Sequence, residues 1–402
     1  MKQQFLKQFF NPKTIAIIGA SNNINKVGNI LMKKNEKFKG EIIPINRKAK
    51  NIQGIKSYKK ITDYKNQIDL VAIATPAKTI PKILKQCIKK KIKNIIILSA
   101  GFSEIGNKKL ENKIIHLKNK YKLNILGPNC FGIANPKKNL DLTFSNYSPK
   151  KGNTAFISQS GALGSYIIDH KIKLSAFISL GNMIDLNFTN WIEYFNNDKS
   201  TKKIICYIEQ LKQGRKFIEL CKNSKKEIIV VKSGKTKKGK TATVSHTGSL
   251  ATDEKIYKAA FKQAKIKEQQ TLAKAFKLKE EKLQKYLKGK KTLIITNAGG
   301  AGALLTDKLI GLGHEVYGPK DLLGTASGND YKRTLHNIQK DYDQIIIILT
   351  PQKMSEPEKT AIAIIESKFK NKILAIFLGK KSMQKANTIL MENKVEFLNQ
   401  VL

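Results

Sequence analysis

Cysteine, arginine, tryptophan and acidic residues are scarce in this chain of 402 residues, and their scarcity excludes several classes of protein. The four cysteines, Cys87, Cys130, Cys206 and Cys221, stand far apart with no CxxC pair. That spacing fits neither a disulfide framework nor a zinc ribbon. No apolar run approaches the roughly 18 residues needed to cross a bilayer, and residues 1–13 lack the apolar stretch of a signal peptide. A cytoplasmic protein without a membrane partner is expected. Acidic residues number 30 against 75 basic ones, a formal net charge of +45. Such a charge invites a nucleic-acid partner. Yet Arg47, Arg215 and Arg333 are the only arginines, and base readout and bidentate phosphate clamping favour arginine. The lysines spread along the whole chain beside many Ile and Asn, all with A/T-rich codons. Aromatics reach 7% and do not interleave with basic motifs. The charge therefore reads as lysine drift on solvated faces, and no nucleic-acid partner is expected.

What is present is a rhythm. Short apolar, β-branched runs at 14–18, 41–45, 69–74, 94–99 and 124–126 alternate with stretches of helical spacing such as 79–91 and 107–120. Runs of that kind suit strands buried on both faces of a parallel sheet. A polar stretch at 135–152 breaks the rhythm. It resumes at 154–158, 176–180, 203–209 and 228–232, pauses in a lysine- and glutamine-rich helical stretch at 262–291, and returns at 292–296, 314–317, 344–350 and 373–377. The fold class expected is α/β, with three Rossmann- or flavodoxin-like doubly wound parallel-sheet domains at 1–140, 150–285 and 290–402.

In such sheets ligands bind beyond the carboxyl ends of the strands, where helix N-termini present free N–H groups. After the first strand come Gly19, Ala20, Ser21 and Asn22, small residues that let a phosphate approach the backbone, but no G-x-G-x-x-G is present. Asn46, Arg47 and Lys48 end the second strand, where a dinucleotide site would carry an acidic ribose partner. Thr75, Pro76, Ser99, Ala100 and Gly101 end the next two strands with little bulk. Ser158, Gln159, Ser160 and Gly161 open a helix. They read either as an oxyanion or phosphate cradle or as ordinary N-capping by serine. Glu209 ends a strand and faces the ligand crevice, where it can orient an imidazole or pair with a lysine. His246 sits among hydroxyls after the glycine- and lysine-rich 233–240, a pattern that reads as a flexible loop. Placed there, it is a candidate proton carrier or nucleophile. The other four histidines read as surface residues.

Nine short motifs occur in one order: Phe10-Asn11-Pro12-Lys13, Ile18-Gly19-Ala20-Ser21, Gly101-Phe102-Ser103-Glu104, Gly127-Pro128-Asn129-Cys130, Ser158-Gln159-Ser160-Gly161, Leu180-Gly181-Asn182, Tyr207-Ile208-Glu209, Ser245-His246-Thr247-Gly248-Ser249-Leu250 and Thr296-Asn297-Ala298-Gly299-Gly300. By these the chain resembles the α subunit of ADP-forming acyl-CoA synthetases of the acetate–CoA ligase type, in the succinyl-CoA synthetase superfamily. The resemblance implies interconversion of acyl-CoA, ADP and phosphate with carboxylate, ATP and coenzyme A. It implies an acyl phosphate and a phosphohistidine at His246, with Glu209 holding the ring. Coenzyme A would meet Gly19, Ala20, Ser21, Asn22, Asn46, Lys48, Thr75, Pro76, Ser99, Ala100 and Gly101. Phosphate or the acyl group would meet Asn129, Ser158, Gln159, Ser160, Gly161 and Asn182. ADP or ATP with Mg²⁺ would sit on a separate ATP-grasp β subunit, since no such domain fits beside three others. The chain itself would hold no metal.

Against the family pattern, Arg47 and Ala301 stand where proline is common, Thr252 replaces a glycine, and the usual signature after Pro319 is missing. The resemblance thus leaves the third domain without a defined role. Two other readings remain: an NAD(P)-dependent Rossmann oxidoreductase, and a non-catalytic CoA-binding regulatory protein.

Overall fold

The computed structural model describes residues 2–247, 254–352 and 354–402, apart from the side chains of 2–4 and 243–247. Three sheets with parallel cores follow one another along the chain. The first runs Glu41–Ile45, Thr14–Ile18, Leu70–Ile73, Asn94–Ile97, Asn124–Leu126 from edge to edge. The third runs Glu315–Asp321, Lys291–Thr296, Gln344–Leu349, Ile373–Phe377, Glu396–Leu398. Both have the order 2-1-3-4-5 of a flavodoxin-like sheet. The second sheet repeats that order in Lys173–Ser179, Lys150–Ser158, Lys203–Ile208, Glu227–Lys232, Lys267–Gln269. Two short antiparallel strands, Ile133–Asn135 and Leu140–Asp141, extend its edge beside Lys173–Ser179.

The strands form where continuous β-branched runs can be buried on both faces; Leu70–Ile73, Asn94–Ile97 and Gln344–Leu349 are buried at every position. The layers share cores. One face of the first sheet packs with the second through Ile15, Ile17, Ala155, Ile157 and Trp191. The other face of the second packs with the third through Phe156, Tyr207, Ala301, Leu305 and Ile346. Phe9 and Phe10 of the N-terminal helix meet the Trp191 ring edge-on at 6.0 and 5.3 Å, fastening the first domain to the second.

Two expectations need correcting. The stretch 262–291 is not one helix: it holds the strand Lys267–Gln269, a single turn Leu272–Ala275 and a 3₁₀ turn Leu283–Tyr286. Its lysines face solvent without an apolar stripe long enough to seat a helix. The histidines also divide. His116 and His336 are exposed, whereas His170 and His314 are half-buried. Among the described residues no helix is long and apolar enough to cross a membrane, and the four cysteines are buried and free.

A buried cation ties the first domain to the second. Lys34 Nζ lies 2.9 Å from Asp141 Oδ2 and donates to the hydroxyls of Thr143 and Ser145 and to the Ser145 and Tyr147 carbonyls. Removing one partner of a buried pair strands the other charge. Lys34→Met should therefore lower stability by about 3–5 kcal/mol in a urea titration.

Candidate functional site

The carboxyl ends of all three sheets converge. In each, the strand order reverses beside the first strand, opening a crevice there. One cavity of about 1090 Å³ is lined from every one of these crevices: Ala74 and Thr75 from the first sheet, Gln159, Ser160 and Glu209 from the second, Asn297, Ala298 and Gln352 from the third.

Consider the first-domain residues. Gly19 takes φ +93°, and a Cβ there would meet the Ala74 carbonyl oxygen at 2.6 Å, so its strand end lies directly against that of Leu70–Ile73. Thr75, Pro76, Ser99 and Ala100 line the cavity. Ser99 Oγ donates to the Thr75 carbonyl, joining two strand ends. Gly101 takes φ +113°, and its N–H and that of Phe102 donate to one Glu104 oxygen. Gly19, Ala20, Ser21, Asn22, Asn46, Lys48 and Gly101 lie outside the cavity wall. The Asn46 amide is committed to backbone: it donates to the Ala20 carbonyl and accepts from Lys48 and Ala49. Asn22 likewise bridges Asn51 and Gln53, and Lys48 is exposed.

The second domain supplies the polar centre. Ser158 is fully buried and donates to the Ser160 carbonyl, so its hydroxyl does not reach the cavity. Ser160 caps the helix Gly161–Asp169 through Leu163 N, which is the capping role. The first turn of that helix lines the cavity with Gly161 and Ala162. Gln159 Oε1 accepts from the N–H groups of Glu209 and Gln210, each at 3.0 Å. This fixes the amide, and its buried Nε2 has no hydrogen-bond partner among the described residues. Asn129 donates to Asn182, whose own amide donates to Ser103 Oγ and to Glu104 and Glu111 carboxylates. Gly181, at φ +58°, would drive a Cβ to 2.2 Å from the Pro128 carbonyl, so only glycine brings these two loops together.

Glu209 is 4% exposed. Against it sits the third domain. A Cβ on Gly300 would fall 2.7 Å from Glu209 Oε1 and 2.9 Å from the Tyr207 hydroxyl. Tyr207 donates to the Gly300 carbonyl, and the Ser233 hydroxyl lies 2.9 Å from its oxygen. The helix Gly299–Gly311 begins there with no side-chain cap, because Ala298 fills that position. The cavity thus has helix N-termini from two domains on its wall.

The segment read as a loop around His246 is a helix, Lys237–Thr247. Thr241 and Ala242 line the cavity, and His246 falls on the last turn. Its side chain lies outside the described residues, as do Gly248, Ser249, Leu250 and Thr252 altogether.

Residues 13–136 match the CoA binding domain family, and residues 151–280 match the succinyl-CoA ligase like flavodoxin domain. The α subunit of acetate–CoA ligase (ADP-forming) II of Pyrococcus furiosus is 36% identical over 97% of this chain and 93% of that subunit. The chain belongs to the ADP-forming acetate–CoA ligase α-subunit family. An acetate–CoA ligase (ADP-forming) of Methanocaldococcus jannaschii is 44% identical over 76% of this chain, which spans 44% of that longer protein. Among solved structures, the dinucleotide-forming acetyl-coenzyme A synthetase 1 of Ca. Korarchaeum cryptofilum, in complex with phosphate and ADP, superposes with a TM-score of 0.65 at 28% identity. That match covers 98% of this chain and 93% of the other.

Against this ligase family, the sequence motifs contained Asn297, Gly300 and Glu104 without giving them a place in the site, and held neither Gln352 of the cavity wall nor the Glu111 carboxylate on Asn182. They also missed Lys232, which is 6% exposed and donates to the Glu209 and Ser233 carbonyls under the Tyr257 ring. The alternation Tyr207, Glu209 could have flagged a shared face. Burial pushes the Lys232 ammonium down to about 8, more than Asp307 and Glu209 restore. Unfolded, the same group titrates at ~10.4. Between these values the unfolded chain binds the extra proton, so this group's contribution to stability rises with pH. Lys232→Met removes that contribution. The stability of wild type minus variant should widen by about 1–3 kcal/mol from pH 8 to pH 10 in urea titrations.

Proposed function

We propose that this chain is the α subunit of an ADP-forming acetate (acyl)–CoA ligase, interconverting acyl-CoA, ADP and phosphate with carboxylate, ATP and coenzyme A. The observation that carries the reading is the single cavity. It is bounded by the CoA-family strand ends, by the Gly161 helix terminus, by Glu209 and by the helix that bears His246.

The chemistry runs in three displacements. A phosphate oxygen attacks the thioester carbonyl. A C–O bond forms, the C–S bond breaks, and coenzyme A leaves as the thiol with the proton that phosphate gives up. A His246 ring nitrogen then attacks phosphorus, forming N–P and releasing the carboxylate. Finally ADP takes the phosphoryl group through its terminal oxygen, N–P breaks and ATP forms. Negative charge builds on the carbonyl oxygen in the first step and is spread over the phosphoryl oxygens in the second. Gln159 Nε2 and the N–H groups at the starts of helices Gly161–Asp169 and Gly299–Gly311 are preorganised donors for it. Glu209 orients the imidazole and favours its cationic, phosphorylated form. Thr75, Pro76, Ser99 and Ala100 are the first-domain surface for coenzyme A; Gly19, Ala20, Ser21, Asn22, Asn46, Lys48 and Gly101 shape its rim. Asn129 and Asn182 face the acyl or phosphate group.

The partner is an ATP-grasp β subunit carrying the nucleotide with Mg²⁺. Among the described residues no three His, Cys, Asp or Glu side chains stand close enough to hold a metal ion.

With the partner subunit and labelled ATP, wild type should form an acid-labile phosphoprotein and His246→Ala should not; equal labelling would sink the assignment. Glu209→Gln should slow labelling by at least about tenfold while leaving CoA affinity within about twofold. A collapse of CoA affinity instead would remove Glu209 from the phosphoryl site.

A further inference from the structure

The helix Lys237–Thr247 grows out of the second sheet, yet it is held from the third domain. Asp307 is the one acid on the helix Gly299–Gly311. Its Oδ2 accepts from the backbone N–H of Gly234 at 2.7 Å and of Lys235 at 2.9 Å. Its Oδ1 accepts from the N–H of Thr236 at 2.8 Å and from the Thr236 hydroxyl at 2.7 Å. One carboxylate therefore satisfies three successive backbone donors at the root of the helix, where N–H groups have no partners within the helix. The fit is close. A Cβ on Gly239 would lie 2.0 Å from Asp307 Oδ1. A second tether lies beside it: Lys238 donates to the Val316 carbonyl at 2.5 Å and covers the Tyr317 ring at 5.4 Å.

The helix is a weak one by composition. Its sequence, KKGKTATVSHT, carries a glycine and four β-branched residues in eleven, a weak helix former. Short helices of that kind stand by tertiary anchoring.

We infer that Asp307 is a positioning residue: it clamps the root of the His246 helix to the third domain and so sets the docked state in which His246 is served by the cavity. This rests on the phosphohistidine reading. That reading requires the same imidazole to meet an acyl phosphate in this chain and ADP on the partner. A clamp made within this chain favours the encounter that takes place in this chain. The third domain, which the motifs leave without a role, supplies it.

The test uses the full chain assembled with its ATP-grasp partner and labels the protein in single turnovers from each side: acetyl-CoA with radiolabelled phosphate, and terminally labelled ATP. Asp307→Asn keeps the size but replaces an acceptor oxygen by a donor. It should slow labelling from acetyl-CoA by about tenfold or more. Labelling from ATP should stay within about twofold of wild type, and so should KM for acetyl-CoA. Gly239→Ala separates docking from helix stability. It raises helix propensity but pushes into Asp307, and it should reproduce the one-sided defect. Equal slowing from both sides, or acetyl-CoA labelling within about twofold of wild type in both variants, overturns the proposal. Wild type unlabelled from either side overturns the phosphohistidine reading beneath it.

Discussion

The absence of a side chain at Gly300 is the constraint on which the cavity depends. With even a methyl group there, Glu209 Oε1 at 2.7 Å and the Tyr207 hydroxyl at 2.9 Å would have to move. Without it, the first turn of a third-domain helix rests on the strand end that bears Glu209. Tyr207 then closes the contact by donating to the Gly300 carbonyl. The N–H groups of that turn, the Glu209 carboxylate and the fixed Gln159 amide consequently share one wall. Three sheets of the same strand order thus build a single site rather than three, because their reversal points face one another.

The parts of this arrangement differ in how far the sequence reveals them. Parallel strands are buried on both faces, so they appear as continuous apolar runs: Thr14–Ile18, Glu41–Ile45, Asn124–Leu126 and Ile373–Phe377 stand where those runs lie. Ile133–Asn135, Leu140–Asp141 and Lys267–Gln269 are two or three residues long, too short to carry a period, and exist only because a neighbouring edge pairs with them. The helix Lys237–Thr247 is invisible for a related reason. Its composition argues for a loop, and contacts with Asp307 and Val316 override it.

The site divides the same way. Residues at strand ends, such as Thr75, Ser99, Gln159 and Glu209, could be read from one motif at a time, and they do line the cavity. Asn22, Asn46 and Ser158 carry the same kind of side chain in the same kind of place, but their polar atoms are engaged by nearby backbone. Nothing local distinguishes the two groups. Gly300 and Asp307 act across a domain interface, so their meaning depends on a partner some 70 to 90 residues away. The lysines divide too. Most lie on solvated faces, as their dispersion suggests, whereas Lys34, Lys232 and Lys238 are structural donors to backbone carbonyls. The charge of +45 thus mixes a surface habit with a few interior anchors.

The central claim is that acyl-CoA and phosphate react within this chain, in the cavity the three domains share. The most direct measurement is exchange of labelled coenzyme A into unlabelled acetyl-CoA by the full chain, with neither nucleotide nor partner added. Exchange that appears with phosphate, disappears without it and is lost in Gln159→Leu is the result this account predicts. Exchange that is absent with phosphate, or proceeds equally without it, would contradict it.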